Sequence, residues 1–211
     1  MVKMVVWVCL FFLVCGCGDA PITKKITIFV ATPYEVYRKD GNEISQLISW
    51  PRTPKHQITA VAYSPAKGWL AIARGPRILW VDERGKIVIP ERQISSNDSI
   101  VSSMAFSRDG GAVALLIASG NGKEIGLLEL DNFRLNRILR VNNSSGVSFG
   151  PGSSIYYSDY VLQKSGETRV PEASDIFRLR FPPVGENIGC WRSEYFFHAK
   201  AVGGEAGNDK V

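Results

Sequence analysis

The sequence predicts an all-β protein built from tandem copies of one four-stranded antiparallel sheet. Three observations carry that expectation. First, a short marker recurs: Ala62-Tyr63-Ser64-Pro65 is echoed by Ala105-Phe106-Ser107-Arg108 and Ser148-Phe149-Gly150-Pro151, with the aromatic residues 43 positions apart each time. Second, Val, Ile, Tyr and Phe gather in short runs bounded by Gly, Pro, Asn and Asp, while no ten-residue stretch carries helical periodicity. Third, 45% hydrophobic and 21% charged residues in a chain of 211 are the composition of a folded domain with a core, which excludes global disorder.

Taken in order, each unit opens with the marker as a first strand, then a small or turn-forming pair (Lys67-Gly68, Gly110-Gly111, Gly152-Ser153), then an apolar second strand. Those second strands begin at Trp69, Ala112 and Ile155. A hairpin completes the unit: Pro76-Arg77-Ile78-Leu79-Trp80-Val81-Asp82 leads through Glu83-Arg84-Gly85 into Lys86-Ile87-Val88-Ile89. Strand, polar turn with Gly, strand is the hairpin signal. The same hairpin precedes it from Pro33 to Ile44, with Pro33 and Pro76 again 43 residues apart, and follows it from Glu124 to Leu139 after the inserted Gly120-Asn121-Gly122. Asp175-Ile176-Phe177-Arg178-Leu179 is the third strand of a later unit. A further unit headed by Trp191 places Tyr195-Phe196-Phe197 as its second strand, the start of a fifth copy.

Four short strands every 40 to 45 residues are the signature of a β-propeller blade, which cannot bury both faces alone and must stack on its neighbours. Ile78-Leu79-Trp80-Val81-Asp82-Glu83-Arg84-Gly85-Lys86 resembles the third strand and turn of a WD repeat. Ala105-Phe106-Ser107-Arg108-Asp109-Gly110 resembles the aromatic-Ser-x-Asp-Gly opening shared by the WD-repeat and TolB-type propellers. The Gly-His pair of many WD repeats is absent from every unit. The expected architecture is therefore β-propeller-like, with about four blades and a ring that is incomplete or open, because residues 26–200 hold only about four repeats, at the lower limit for closure.

Ahead of the repeats, Lys3 and the uncharged run from Met4 to Cys17 have the length of a signal-peptide h-region and fall short of the span of a membrane helix. Val14-Cys15-Gly16-Cys17 resembles a bacterial lipobox, with a small residue immediately before the Cys. The resemblance implies a signal peptide over residues 1–16, lipid attachment at Cys17, a tether over 17–25, the repeat domain over 26–200 and a polar tail over 201–211. It implies an exported bacterial membrane lipoprotein facing the periplasm or the cell surface. Gly18 after the lipidated Cys favours the outer membrane, by resemblance to enterobacterial sorting. A body tethered by several acyl chains is anchored to the membrane without crossing it.

The chemistry is sparse. No Gly-x-Ser-x-Gly elbow occurs, His56 and His198 stand far apart, and Gly120-Asn121-Gly122-Lys123 lacks the spacing of a phosphate loop. No metal and no cofactor is expected, and Asp82, Asp131 and Asp159 read as turn acceptors. The net charge of +5 is spread thinly, with no basic run of the kind that marks a nucleic-acid partner.

Propellers place function on the loops between blades and between second and third strands, here residues 49–57, 74–76, 90–99, 119–123, 140–146 and 158–174. The candidate binding residues on them are Arg52, His56, Arg74, Arg92, Arg140, Tyr160 and Arg169. The expected function is a non-catalytic protein-binding or scaffold module of the cell envelope, with an envelope protein as partner and the membrane held through the lipid. By family resemblance, such scaffolds help assemble or couple outer-membrane components. The alternative is an envelope lyase or hydrolase acting on a sugar polymer at the loop face.

Overall fold

The computed structural model describes the backbone of residues 7–8, 27–150, 154–165, 168–180 and 192–200, and the side chains of 27–150, 154–159 and 176–179. Among the described residues sixteen strands form four sheets of four. Blade 1 holds β1 (Trp7–Val8), β2 (Thr27–Ala31), β3 (Glu35–Asp40) and β4 (Glu43–Ser49). Blade 2 holds β5 (Ala60–Ser64), β6 (Trp69–Arg74), β7 (Arg77–Asp82) and β8 (Ile87–Gln93). Blade 3 holds β9 (Ile100–Phe106), β10 (Ala112–Ser119), β11 (Gly122–Glu129) and β12 (Arg134–Val141). Blade 4 holds β13 (Val147–Phe149), β14 (Ile155–Ser165), β15 (Thr168–Arg180) and β16 (Arg192–Lys200). Strands are hydrogen-bonded in sequence order within every sheet, and among the described residues no sheet closes on itself.

The chain divides into two compact units, residues 1–102 with the first two blades and 103–211 with the fourth, the division falling inside β9. In the first unit Phe29 and Val36 of blade 1 pack against Leu70, Ile72, Leu79 and Val81 of blade 2. Leu70 and Ile72 lie on one face of β6, and Ala71 and Ala73, also buried, on the other. This explains the unbroken apolar runs of β6 and β7: a blade covered on both faces loses the alternation of a half-exposed strand. In the second unit Ala114, Leu116, Ile125 and Leu127 of blade 3 pack against Ile155 and Leu179 of blade 4.

The Ser107-Arg108-Asp109-Gly110 turn has a local cause. The Ser107 hydroxyl donates to Asp109 Oδ1 (2.6 Å) and accepts from the Ala112 amide (2.9 Å), while Asp109 Oδ1 accepts from Gly111 N (3.1 Å) and Gly110 adopts φ +72°. The side chains supply acceptors that the turn backbone lacks, and Gly110 takes the left-handed position. Blade 2 turns alike, with Gly68 at φ +64° donating to the Ser64 carbonyl (2.8 Å).

Two expectations need correction. Residues 192–200 do not begin a fifth blade: β16 pairs with β15 from Ala173↔Lys200 to Arg180↔Arg192, so it is the outer strand of blade 4. The reason is the length of β15, whose far half offers an edge long enough to take it. The stretch 158–174 is not a loop either, but the extension of β14 and β15 into one hairpin paired as far as Ser165↔Thr168. Second strands lengthen along the chain from 5 to 6, 8 and 11 residues, and third strands from 6 and 6 to 8 and 13. Cys17, Cys190 and Trp191 lie outside the described residues.

Candidate functional site

The segment joining blade 1 to blade 2 is fixed at both ends by backbone bonds. Trp50 N donates to Tyr34 O (2.9 Å), Ile58 N to Pro33 O (2.7 Å) and Thr59 N to Ala73 O (2.9 Å). Between them Pro54–His56 makes a 3-10 turn, and the Thr53 hydroxyl lies 2.6 Å from His56 Nδ1. His56 is therefore half-buried and engaged as a turn residue. Arg52 is 78% exposed and 3.9 Å from Glu35, an ion pair of little energetic weight. Glu35 also accepts from the Tyr37 hydroxyl (3.0 Å), and that hydrogen bond, before burial, holds the Tyr37 pKa above its ordinary value.

The strongest assembly of side chains at this end surrounds Arg74. Arg74 is the last residue of β6 and Arg77 the first of β7, and the Gly75-Pro76 turn, with Gly75 at φ +60°, sets the two arginines directly opposite. Two like charges in register repel unless an acid stands between them. Glu91 of β8 supplies it, pairing closely with Arg74 and lying 3.8 Å from Arg77. The Arg74 guanidinium rests 4.8 Å over the Trp50 ring. With only 11% of its side chain exposed, Arg74 is the member for which charge pairing and the cation–π contact carry weight, whereas Arg77, 53% exposed, keeps its charge toward solvent. Arg92, next to Glu91 on β8, is opposite Ile78 and exposed. The expected loops are shorter than the sequence implied: β8 runs to Gln93, β12 to Val141, and β10 and β11 leave only residues 120–121 between them.

Of the seven expected residues, Arg52, His56, Arg74 and Arg92 fall in residues 1–102, and Arg74 enters a cluster of several side chains. Arg140 in the second unit is exposed on β12 opposite Glu124. Nearby, the segment between β12 and β13 is tied down by Lys123 Nζ donating to Ser144 O (2.7 Å) and Asn143 N donating to Asp159 Oδ1 (2.9 Å). Tyr160 and Arg169 are strand residues, opposite Ser174 and Lys164, and their side chains lie outside those described. Trp50 and Arg77 were absent from the expected set. The signal for Arg77 is readable: two arginines flanking a Gly-Pro turn must face one another across a hairpin.

At the other end of the same two blades a second polar group joins them. The Tyr63 hydroxyl donates to Glu83, Arg38 pairs with Asp40 (2.8 Å) and donates to Glu83 O (2.9 Å), and the Thr27 hydroxyl donates to Asp40 (2.6 Å). Burial, aided by the hydrogen bond to Glu83, pushes the Tyr63 pKa up to about 12. Every member sits in a blade or its turns and contacts another member, which marks the group as a brace between blades. Asp82 is a turn acceptor, taking the Arg84 and Lys86 amides at 2.9 Å each, and the Lys86 bond first holds its carboxyl below the usual range.

Among the described residues no three His, Cys, Asp or Glu side chains are grouped to hold a metal, and no helix is long and apolar enough to cross a membrane. No family model and no curated protein matches the chain. Solved structures do. Kuenenia stuttgartiensis hydrazine synthase aligns over 72% of this chain and 42% of its own, with TM-score 0.54 and 13% identity. A chain of a nidogen/laminin complex aligns over 71% of this chain and 55% of its own, with TM-score 0.53 and 10% identity. Both are β-propeller-type folds. The fold of this chain is β-propeller-like. At such identities the likeness is one of fold alone, and the chain spans about half the length of the propeller-type chains it matches.

Proposed function

We propose that this propeller-like protein is an exported, lipid-anchored, non-catalytic module that binds a protein partner in the bacterial envelope. The observation that carries the reading is the cluster of Trp50, Arg74 and Glu91, held by backbone bonds and flanked by the exposed Arg52 and Arg77. Tryptophan and arginine on a rigid frame are the residue types that dominate binding energy at protein interfaces, because they offer large contact area with little entropy to lose. The one acid of the cluster is already neutralised by Arg74, so the group presents the charges of Arg52 and Arg77 beside a half-buried indole rather than a free carboxylate for acid–base work. The partner in this reading is an envelope component assembled or coupled by the scaffold. Val14-Cys15-Gly16-Cys17 supports anchoring through Cys17, and Gly18 after it the outer membrane; in this reading the processed protein loses β1 and keeps β2–β4 as blade 1.

Two measurements test the proposal. A photoreactive residue at Arg52 or Arg77 is expected to give one discrete adduct in cells, and the same residue at Lys86, at the other end of blade 2, none. Metabolic labelling with palmitate is expected to mark the wild-type chain and to fail for Cys17→Ser. Adducts of equal yield at all three positions would refute the binding face, and label retained by Cys17→Ser would refute the anchor.

A further inference from the structure

Beyond that binding reading, and independently of it, we propose that β14 is a pairing edge for a second copy of this chain, the two β14 strands running antiparallel about a two-fold axis at Leu162. An unpaired strand edge presents a row of N–H and C=O groups to any other strand, and proteins blunt such edges with proline, bulges or charge. The outer strand of blade 1 has a bulge between its pairs at Val36 and Tyr37, that of blade 2 contains Pro90, and that of blade 3 carries Arg134, Arg137 and Arg140.

The hairpin of β14 and β15 is guarded on one side only. β15 is paired with β16 from Ala173 onward, and beyond that point it carries Pro171 and, beside it, the extra residue Glu172 that shifts the register between Val161 and Leu162. Proline has no amide to donate and a bulge breaks the repeat, so this edge cannot extend the sheet. β14 has neither device. Among the described residues, β13 covers it only at Ile155, Tyr156 and Tyr157, and the segment between β12 and β13 reaches it at Ser158 (2.7 Å from Ser145) and Asp159. From Tyr160 to Ser165 β14 has no proline and no extra residue of its own, the register shift at Val161/Leu162 being taken up by Glu172 of β15, and among the described residues it is paired on its β15 side alone. There the arm is a two-stranded ribbon, which is marginal in water until a further strand joins it.

The sequence along the edge selects the occupant. Antiparallel pairing centred on Leu162 sets Tyr160 against Lys164 of the second copy, Val161 against Gln163 and Leu162 against itself. Lys164, the single cation of the segment, thus falls opposite Tyr160 and not opposite its own copy, and the β-forming Tyr160-Val161-Leu162 lies within the paired stretch. The antiparallel sense also puts the blades of the two copies at opposite ends of the joined arms, whereas a parallel arrangement would bring them to the same end. A two-fold contact of this kind is closed and stops at two chains.

The test uses the full chain in density-matched detergent. Sedimentation equilibrium is expected to show a concentration-dependent two-chain species, and a variant with residues 162–172 replaced by Asn-Gly is expected to sediment as one chain. Leu162→Cys is expected to form the inter-chain disulfide on oxidation at least about fivefold more than Lys164→Cys, because self-opposed positions in a ladder lie within disulfide reach and the others do not. Both variants carry the same native cysteines, so their difference reads the register alone. A single-chain mass for the wild type at every concentration, a two-chain species unchanged in the shortened variant, or equal cross-linking of the two cysteine variants would each overturn the proposal. The wild-type mass stands even where a variant fails to fold.

Discussion

At the scale of single residues, two positions report on the contact between blades 1 and 2. Gly85 adopts φ +81°, and a Cβ there would meet the Leu47 carbonyl oxygen at 2.6 Å. Backbone cannot retreat as a flexible side chain can, so Gly85→Ala is expected to cost about 2 kcal/mol from strain and displacement together, read as a lower urea midpoint. An unchanged midpoint would mean that the turn is free to move. Tyr63 gives a pH signature. Its pKa of about 12 lies above the ordinary 10.0, so the folded chain keeps this proton where the unfolded chain releases it. The stability it contributes is complete below pH 10.0 and is lost as pH rises from there through about 12. Ultraviolet titration is expected to show a tyrosine ionising near that upper value, and Tyr63→Phe to abolish that step. Sequence reading found neither position for its true role. Tyr63 was legible as a repeat marker and Gly85 as a turn residue, but their partners are distant in sequence: strand pairing within blade 2 brings Glu83 to Tyr63, and Leu47 reaches Gly85 only when blades stack.

At the scale of elements, strands were legible wherever a turn had its own chemistry. The Ser107-Asp109-Gly110 turn closes on side-chain acceptors and one left-handed glycine, all local, and the strands on either side follow from it. Asp109→Ala is expected to cost about 1 kcal/mol, the usual loss when a turn acceptor is removed, measured by thermal unfolding. The corresponding substitution at exposed Arg108 is expected to cost almost nothing. Where the local signal was polar but also able to extend, the reading failed. Residues 158–174 contain Ser, Asp, Lys, Gly, Glu and Pro, which suggests a loop by composition, yet the pairing that begins at Ile155↔Leu179 simply propagates outward. The fifth copy headed by Trp191 fails for a separate reason, because Tyr195-Phe196-Phe197 lies in a strand that pairs with the edge of β15. The site fared likewise: arginines on turns were visible, but the indole and carboxylate that hold Arg74 arrive from a connector and an outer strand.

At the scale of the whole molecule, stacked sheets derive their stability from neighbours, so a blade's packing end and its protruding end should respond differently to change. Replacing residues 162–172 with Asn-Gly closes β14 and β15 at Val161↔Ala173 with a two-residue turn suited to antiparallel strands. The unfolding midpoint of that variant, followed by circular dichroism, is expected to stay within about 1 kcal/mol of wild type, since the removed ribbon lies beyond the strands that contact β13 and β16. A collapse of the midpoint would show that the arm is part of the core. Second and third strands lengthen from blade 2 to blade 3 inside the same 43-residue interval between aromatic markers, so the change falls at the hairpin turn between them and leaves the first strands in place. That turn is where the repeat tolerates novelty, and Gly75-Pro76 in blade 2, still in its shortest form, is the natural place to graft a new recognition loop.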